Sequence, residues 1–340
     1  MPGSDLRPRR AVMLTALGLE FTAAVGPLSG RAKVASTVGT IYETGHFEGW
    51  AVAVAEVGQG NTTAAVEVER AISVFGPDCL MFLGIAGGLK DVALGDVVAA
   101  TKVYGYESGK QDRAFLPRPS VGQVSHRLEQ AARAVIRDGV WRQRFELVAP
   151  ASPAAHAGPI AAGEKVVASR RSGLYRFLRK HYSDALAVEM EGRGFLAGAF
   201  AHKECDAIVI RGISDLIEGK TTADEKGWQQ RAAAHAAAFA YDLLSLLNTL
   251  EDPRYWTLTV EDIFDDEIVR LIELIRKTAQ NPRISLKKTT RGSVTLHLES
   301  SNDAYERILE AWRSGELEPA LGVKILRIAK GSHEVSAGSR

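Results

Sequence analysis

The sequence predicts an α/β protein with a central mixed, mostly parallel sheet, followed by a small α+β unit. Three observations carry this. Short apolar runs alternate with stretches of helical spacing as far as Leu250. Several of those runs end in glycine-rich turns, as buried parallel strands that feed helices do. At Glu251-Asp252-Pro253 the pattern changes and a shorter alternating series begins. A chain of 340 residues, 46% hydrophobic and 24% charged, has room for two cores.

Residues 1–10 are expected to be disordered, and 11–251 to form the first domain. Ala11 to Gly18 (AVMLTALG) reads as a fully buried strand, with a helix from Glu20. Ala51 to Val57 (AVAVAEV) is a second apolar run, closed by Gly58-Gln59-Gly60-Asn61. Thr62 to Phe75 places Ala65, Val68, Ile72 and Phe75 at helical spacing. Cys79 to Leu83 (CLMFL) is a third strand, closing on the turn Gly84-Ile85-Ala86-Gly87-Gly88. Asp96 to Thr101 follows, then the loop Tyr104 to Lys110 (YGYESGK), a Pro/Arg-rich loop from Arg113 to Pro119, and a helix from Val124 to Asp138. Ala161 to Ser169, Ala187 to Met190 and Ala207 to Ile210 are further apolar segments, and an Ala-rich helix, Glu225 to Leu250, ends the domain.

The second domain is expected over 252–330. Leu258 to Gln280 reads as an amphipathic helix through Ile263, Ile268, Leu271 and Ile275. Ile284 to Lys288 and Ser293 to Glu299 read as a hairpin turning at Arg291-Gly292, then Asn302 to Ser314 as a helix and Val323 to Ile328 as a strand. The result is αββαβ. Residues 331–340, rich in Gly and Ser, are expected to be a disordered tail.

A net charge of +1, with both signs interspersed, gives no field that would recruit nucleic acid or an acidic membrane. Cys79 and Cys205 stand far apart and form no CxxC pair, so neither a zinc site nor a disulfide scaffold is expected. Free thiols suit a reducing compartment. No stretch approaches the roughly 18 uninterrupted apolar residues of a membrane span. Arg7, Arg9 and Arg10 before Ala11 to Leu19 imitate a secretion signal, but the run is short and ends at Glu20. A cytoplasmic protein is expected.

Ligands of α/β sheets bind where strands end and loops converge. Four polar signals sit at such ends: Glu20, the glycine turn 84–88, Val188-Glu189-Met190-Glu191, and Arg211-Gly212-Ile213-Ser214-Asp215. Singly, each has a plain structural reading. Glu20 can cap a helix, the glycines can serve close packing, Glu191 can answer a helix dipole, and Asp215 can be a cap.

Together, in this order, they resemble the nucleoside phosphorylase and nucleosidase superfamily, particularly the methylthioadenosine/S-adenosylhomocysteine nucleosidases, over residues 11–250. Ala16-Leu17-Gly18-Leu19-Glu20 resembles the family's first-strand acidic turn, and Gly58-Gln59-Gly60-Asn61 with Ala64-Ala65 its second glycine turn. Gly84 to Leu89 with Leu94-Gly95-Asp96-Val97-Val98 resembles its central AGGL…GD signature. Val188 to Glu191 matches VEME, and Arg211 to Asp215 matches R-x-I-S-D.

The resemblance implies a three-layer phosphorylase-like domain that releases a purine, adenine above all, from a nucleoside or nucleotide. Asp215 would protonate the leaving base from an enclosed site, and Glu20 would activate the attacking water. Glu191 would accept the ribose 2′ and 3′ hydroxyls, Met190 would pack on the sugar, and Ser214 and Arg211 would hold Asp215. Ala86, Gly87, Gln59 and Val166 would complete the substrate-binding wall. No metal or other cofactor is implied, and a homodimer or larger homo-oligomer is. Phosphorylases of the superfamily carry arginines ahead of the central turn and in the first-strand loop. Here Phe82-Leu83 and Gly18-Leu19 stand there, so water is the expected nucleophile. Ile85 replaces the serine usual in the nucleosidase turn. A phosphorylase, or an inactive nucleotide-sensing scaffold, are the alternatives. Lys165, Lys220 and Lys110, with Lys102, are either solvated or bind a 5′ phosphate. The tail resembles, more loosely, the death-domain-like TRADD N-terminal adaptors fused to such domains in bacterial conflict systems. That implies a protein partner for the tail, and AMP or ATP as substrate of a defence effector.

Overall fold

Apolar runs form the middle of the sheet because both of their faces are covered. The computed structural model describes residues 9–144, 152–202, 204–218, 227–251, 253–261, 263–264, 267–290 and 294–330. The chain divides into two compact units, Met1–Leu243 and Leu244–Arg340.

The first unit opens with β1 (Arg9–Thr15), α1 (Gly18–Val25), β2 (Ser29–Ala35), β3 (Ile41–Phe47), β4 (Trp50–Glu56) and α2 (Asn61–Phe75). Then come β5 (Cys79–Gly88), β6 (Val97–Gly105), β7 (Gly109–Gln111), β8 (Phe115–Pro117), β9 (Ser120–Gln123) and α3 (His126–Asp138). It continues with β10 (Ala155–Ala162), α4 (Gly173–His181), β11 (Ala187–Glu189), α5 (Gly192–Phe200) and β12 (Asp206–Asp215), followed by α6 (Trp228–Glu251), within which the division between units falls.

The main sheet runs β11-β10-β6-β12-β5-β1-β4-β3-β2, with β9 beside β6. β12, β5, β1 and β4 are mutually parallel, as are β6, β10 and β11. The joint between β12 and β6 and the β2–β3–β4 meander are antiparallel. β11 also returns antiparallel to the end of β5, with Val188 opposite Gly87, which closes a ring of β5, β12, β6, β10 and β11. That closure sets three of the four polar motifs side by side. On β12, Val209 faces Gly192 of α5, while Gly212 meets the backbone of Ala232 in α6. Residues three apart on a strand point to opposite faces, so helices cover the sheet from both sides in three layers.

Several expectations need correction. Arg9 and Arg10 belong to β1. The Arg10 N–H bonds Asp78 Oδ2 at 2.8 Å and its guanidinium the Phe75 carbonyl at 2.7 Å; the rest of the expected disordered start lies outside the described residues. The first strand stops at Thr15, not Gly18. The glycine segment 84–88 is not a turn but the continuation of β5, because β12 and β11 supply ladder partners on both sides. The apolar segment 161–169 only begins within a strand, since β10 ends at Ala162, and the Pro/Arg-rich loop contains β8, paired with β7. The start expected for the long helix at Glu225 lies outside the described residues.

The second unit holds β13 (Pro253–Val260), α7 (Glu267–Thr278), β14 (Ser285–Thr290), β15 (Val294–Ser301), α8 (Asn302–Arg313), α9 (Leu317–Leu321) and β16 (Ile325–Lys330). Its antiparallel sheet is ordered β14-β15-β13-β16. The unit is therefore βαββααβ, a split βαβ arrangement with the short α9 added before its last strand, rather than αββαβ. Leu258 belongs to a strand, not to the expected helix. Trp256, Leu258 and Val260 are buried and alternate with partly exposed Tyr255, Thr257 and Thr259, which is strand periodicity in residues that favour strands. They pack with Leu271, Ile275, Leu296 and Ile308 into a core within this unit.

Candidate active site

The ends of β1, β5, β11 and β12 surround a cavity of about 210 Å³. Glu20, in the first turn of α1, reaches it from the β1 side. Its Oε2 accepts the N–H groups of Ala16 (2.8 Å) and Leu17 (3.0 Å), and its Oε1 that of Ile85 (2.8 Å). The carboxylate thus caps its own helix and lines the cavity at once, and it ties α1 to β5. Burial pushes the Glu20 carboxyl up, against the opposing pull of Arg211 and the three N–H donors.

Behind this wall lies Arg211, wholly buried on β12. Its Nη2 donates to Glu189 Oε2 and, at 3.1 Å, to Glu191 Oε2. The guanidinium carbon lies 4.7 Å from the Phe82 ring centre, a cation–π stack. A Cβ at Gly84 would overlap this guanidinium and sit 2.5 Å from Glu20 Oε1. Glycine at that position is what lets both charged groups close over the strand. Glu189 also accepts the N–H groups of Glu191 (3.0 Å) and Gly192 (2.9 Å) at the start of α5. Glu191 Oε1 accepts the Gly60 N–H at 3.1 Å. Burial pushes the Glu191 carboxyl up to about 7, with Arg211 opposing and Glu189 adding to the rise. Glu20, Glu189 and Glu191 thus surround one guanidinium, whose attraction opposes the rise that burial imposes on the Glu20 and Glu191 carboxyls.

Asp215 reaches the cavity through a bulge. Arg211 is opposite Gly84 while Asp215 is opposite Gly87, so β12 uses one residue more than β5 over this stretch. Asp215 Oδ1 accepts the Ile217 N–H at 2.9 Å. The Ser214 hydroxyl lies 3.2 Å from Asp215 Oδ2 and 3.4 Å from the Ala86 carbonyl oxygen.

Glu20, Glu191, Asp215, Met190, Ser214, Ala86, Gly87, Gln59, Val166 and Lys165 all line this one cavity. Arg211 does not: it holds Glu189 and Glu191 rather than Asp215, which corrects the expectation that it braces the acid. Lys165 is largely exposed, and its Nζ is 2.7 Å from Glu107 Oε1. Lys110 is away from the lining, 4.0 Å from Asp112, and Lys102 pairs with Asp184 at 3.4 Å. Lys220 lies outside the described residues. The sequence reading missed Glu189 as the partner of Arg211. Its position two residues before Glu191 was the available signal. It also missed Ala16, Leu17, Ile85, Val167, Val188 and Gln229 on the lining, and nothing in the spacing of Gln229, near the start of α6, marks it. Among the described residues no group of three or more His, Cys, Asp or Glu could hold a metal ion. No described helix is long and apolar enough to cross a membrane.

Known proteins are similar to this chain in sequence and fold. The family described as the phosphorylase superfamily matches residues 10–245, and the TRADD-like N-terminal domain matches residues 266–329. A 5′-methylthioadenosine/S-adenosylhomocysteine nucleosidase of Chromohalobacter salexigens is 24% identical over 254 residues, covering 71% of this chain and 99% of the relative. A death domain-containing ATP nucleosidase of Amphimedon queenslandica is 28% identical over 211 residues, covering 58% of this chain and 38% of the relative. The structure of a 5′-methylthioadenosine/S-adenosylhomocysteine nucleosidase from Neisseria meningitidis, in complex with methylthio-immucillin-A, superposes with a TM-score of 0.58 at 24% identity, covering 69% of this chain and 98% of the other. The futalosine hydrolase of Helicobacter pylori does so with a TM-score of 0.58 at 19% identity, covering 70% and 97%. At these identities the solved structures speak for the fold.

Proposed function

This chain belongs to the phosphorylase superfamily, and from that premise we propose that its first unit hydrolyses the N-glycosidic bond of a purine nucleoside or nucleotide, releasing adenine. The observation that carries this reading is the placement of Glu20, Glu191 and Asp215, from three separate strand ends, around one cavity.

Adenine leaves poorly as an anion, so a proton must reach the base as its bond to C1′ breaks. Asp215 gives that proton to N7. Glu20 takes a proton from water as the water oxygen bonds C1′, and the C1′–N9 electron pair goes to the protonated base. Positive charge builds on the sugar meanwhile, and the carboxylates of Glu20 and Glu191 offset it. Glu191 accepts the ribose 2′ and 3′ hydroxyls, and Arg211 fixes its orientation through Nη2.

Water rather than phosphate is favoured by the charges. Glu20, Glu189, Glu191 and Asp215 line the cavity, whereas Lys165 is the one cation on the lining among the described residues. A phosphate dianion beside C1′ would face carboxylates without a guanidinium pair to receive it. Lys165 favours a second reading of the other end of the substrate. Released from Glu107, it offers a cation to a 5′ phosphate, which would admit AMP or ATP and suit a defence effector. The second unit, by its similarity to an adaptor domain, would then couple the activity to a protein partner, in a cytoplasmic homo-oligomer.

The test is incubation with adenosine, methylthioadenosine, AMP and ATP in phosphate-free buffer. Free adenine and a sugar unphosphorylated at C1 are expected. Strict dependence on added phosphate, with ribose 1-phosphate formed, would make the enzyme a phosphorylase. No base from any substrate would favour a nucleotide-sensing scaffold.

A further inference from the structure

We propose that Asn61 and Glu164 form a latch that positions Glu191, and thereby set how strongly the site selects ribose hydroxyls. This rests on the reading above in which Glu191 receives those hydroxyls. Neither latch residue lines the cavity, so both are positioning residues.

Glu191 is gripped at two points: Arg211 holds Oε2 at 3.1 Å and the Gly60 N–H holds Oε1 at 3.1 Å. The second grip depends on a loop with little conformational restraint of its own. Gly58 and Gly60 have φ of +80° and +104°, regions that glycine enters freely, and neither has a side chain to anchor it. The Gly60 carbonyl accepts the Ala64 N–H at 3.1 Å as the helix begins, and further restraint comes from the next residue. Asn61 is 4% exposed, and its backbone N–H (3.3 Å) and Nδ2 (3.0 Å) both donate to Glu164 Oε1. Its Oδ1 accepts the Gly194 N–H at 2.8 Å, which ties the same residue to α5. A Cβ at Gly194 would overlap the Asn61 backbone, so loop and helix meet main chain to main chain. The second oxygen of Glu164 lies 3.3 Å from the place a Gly60 Cβ would take, so its carboxylate covers Gly60 as well.

The far end of the latch is also fixed. The Glu164 N–H donates to Glu107 Oε2 at 2.9 Å, and the neighbouring Lys165 Nζ reaches Glu107 Oε1 at 2.7 Å. Position then runs from Glu107 through Glu164 to Asn61, Gly60 and Glu191. A purely structural clasp would have no reason to affect one substrate more than another. A latch acting through Glu191 must affect substrates with sugar hydroxyls more than those without.

The experiment compares the full chain with Glu164→Ala, Glu164→Gln and Asn61→Asp. It measures kcat, KM and Kd for adenosine and for 2′,3′-dideoxyadenosine, which offers Glu191 no hydroxyl. Glu164 is exposed and its replacement should leave folding intact, whereas Asn61→Asp keeps the Gly194 acceptor but sets two carboxylates against each other. A misplacement of about 1 Å can cost about 100-fold, and since Arg211 keeps half of the grip, adenosine kcat/KM should fall about tenfold in Glu164→Ala and Asn61→Asp, mainly through KM. The dideoxy substrate should change less than about twofold, and Glu164→Gln, which keeps an acceptor oxygen, should stay within about threefold of wild type. Equal losses on both substrates, or no loss on adenosine, would overturn the latch. A wild type that binds adenosine more tightly than the dideoxy compound yet releases no base removes the hydrolase reading, and the Kd ratios still decide the latch. A wild type that hydrolyses both equally well overturns the latch together with the sugar role of Glu191, while hydrolysis stands.

Discussion

Around Arg211 lie three buried carboxylates, and the burial of one of them, Glu191, has a measurable pH signature. Burial pushes the Glu191 carboxyl up to about 7 in the folded protein, against an ordinary value of 4.5. Between those values the folded state binds more protons than the unfolded one. Stability contributed by this residue is therefore full below about 4.5, is lost as pH rises toward 7, and is constant above. Glu191→Gln should flatten that slope, so urea unfolding at the two ends of the window should separate the variant from wild type; parallel slopes would show that Glu191 titrates normally. Asp215→Asn tests the chemistry itself. It keeps shape but has no transferable proton, and turnover should fall at least ~100-fold while substrate affinity changes far less. Undiminished turnover would mean that another group protonates the base. Glu20, Glu191 and Asp215 were legible as candidates because each stands shortly after an apolar run, in motifs that resemble those of one superfamily in the same order. The partners of Arg211 were not. Pairing between strands leaves no trace in local spacing, and the bulge between Ile213 and Asp215 breaks the alternation by which Arg211 and Asp215 would share a face.

Elements were legible in proportion to how one-sided their surroundings are. β1, β5 and β12, buried along most of their length, gave continuous apolar runs. β2 is exposed along its whole length and offers no pattern, so its pairing with β3 came only with the structure. β13 was hidden in the opposite way. Its aromatic and threonine alternation adjoins the helical spacing of α7, and the two were read as one amphipathic helix. The glycines misled because a glycine-rich stretch reads as a turn, although here it permits close approach along a continuing strand. Gly212→Ala tests that role. Its Cβ would overlap the Ala232 carbonyl oxygen in α6, and main chain cannot rotate aside as a side chain can. Overpacking of this kind costs about 1–3 kcal/mol, and the loss should appear as a lowered Tm with base release impaired in step. An unchanged Tm would mean that α6 yields without cost. Gly84→Ala should act differently, because the obstacles there are the Arg211 and Glu20 side chains. Activity should fall by more than stability does.

At the scale of the molecule, the chain change at Glu251-Asp252-Pro253 was visible as a shift in pattern, while the compact units divide at Leu243 and Leu244, inside α6. The two boundaries differ because a helix that continues without a break gives the sequence no marker until it ends. Each unit has what its own proposed task requires. The carboxylates, Arg211 and the glycines that seat them all belong to the first unit. The second has a core of its own around Trp256, Leu258, Leu271 and Leu296, and its Arg307 is engaged by the Ala279 carbonyl at 2.6 Å and by Asp303. If the second unit serves assembly or recruitment, a chain ending at Glu251, which keeps α6 whole, should retain kcat within about twofold on a nucleoside substrate, since no group that performs the chemistry is removed. It should differ from the full chain in solution mass, or in the response of base release to cell extract. Size-exclusion chromatography with light scattering, beside an adenine-release assay, measures both. Loss of activity in a truncated chain that still folds would place a catalytic or ordering role in the second unit. Identical mass, activity and response would reduce that unit to a packing appendage, and the similarity to an adaptor domain would then be one of fold without the function.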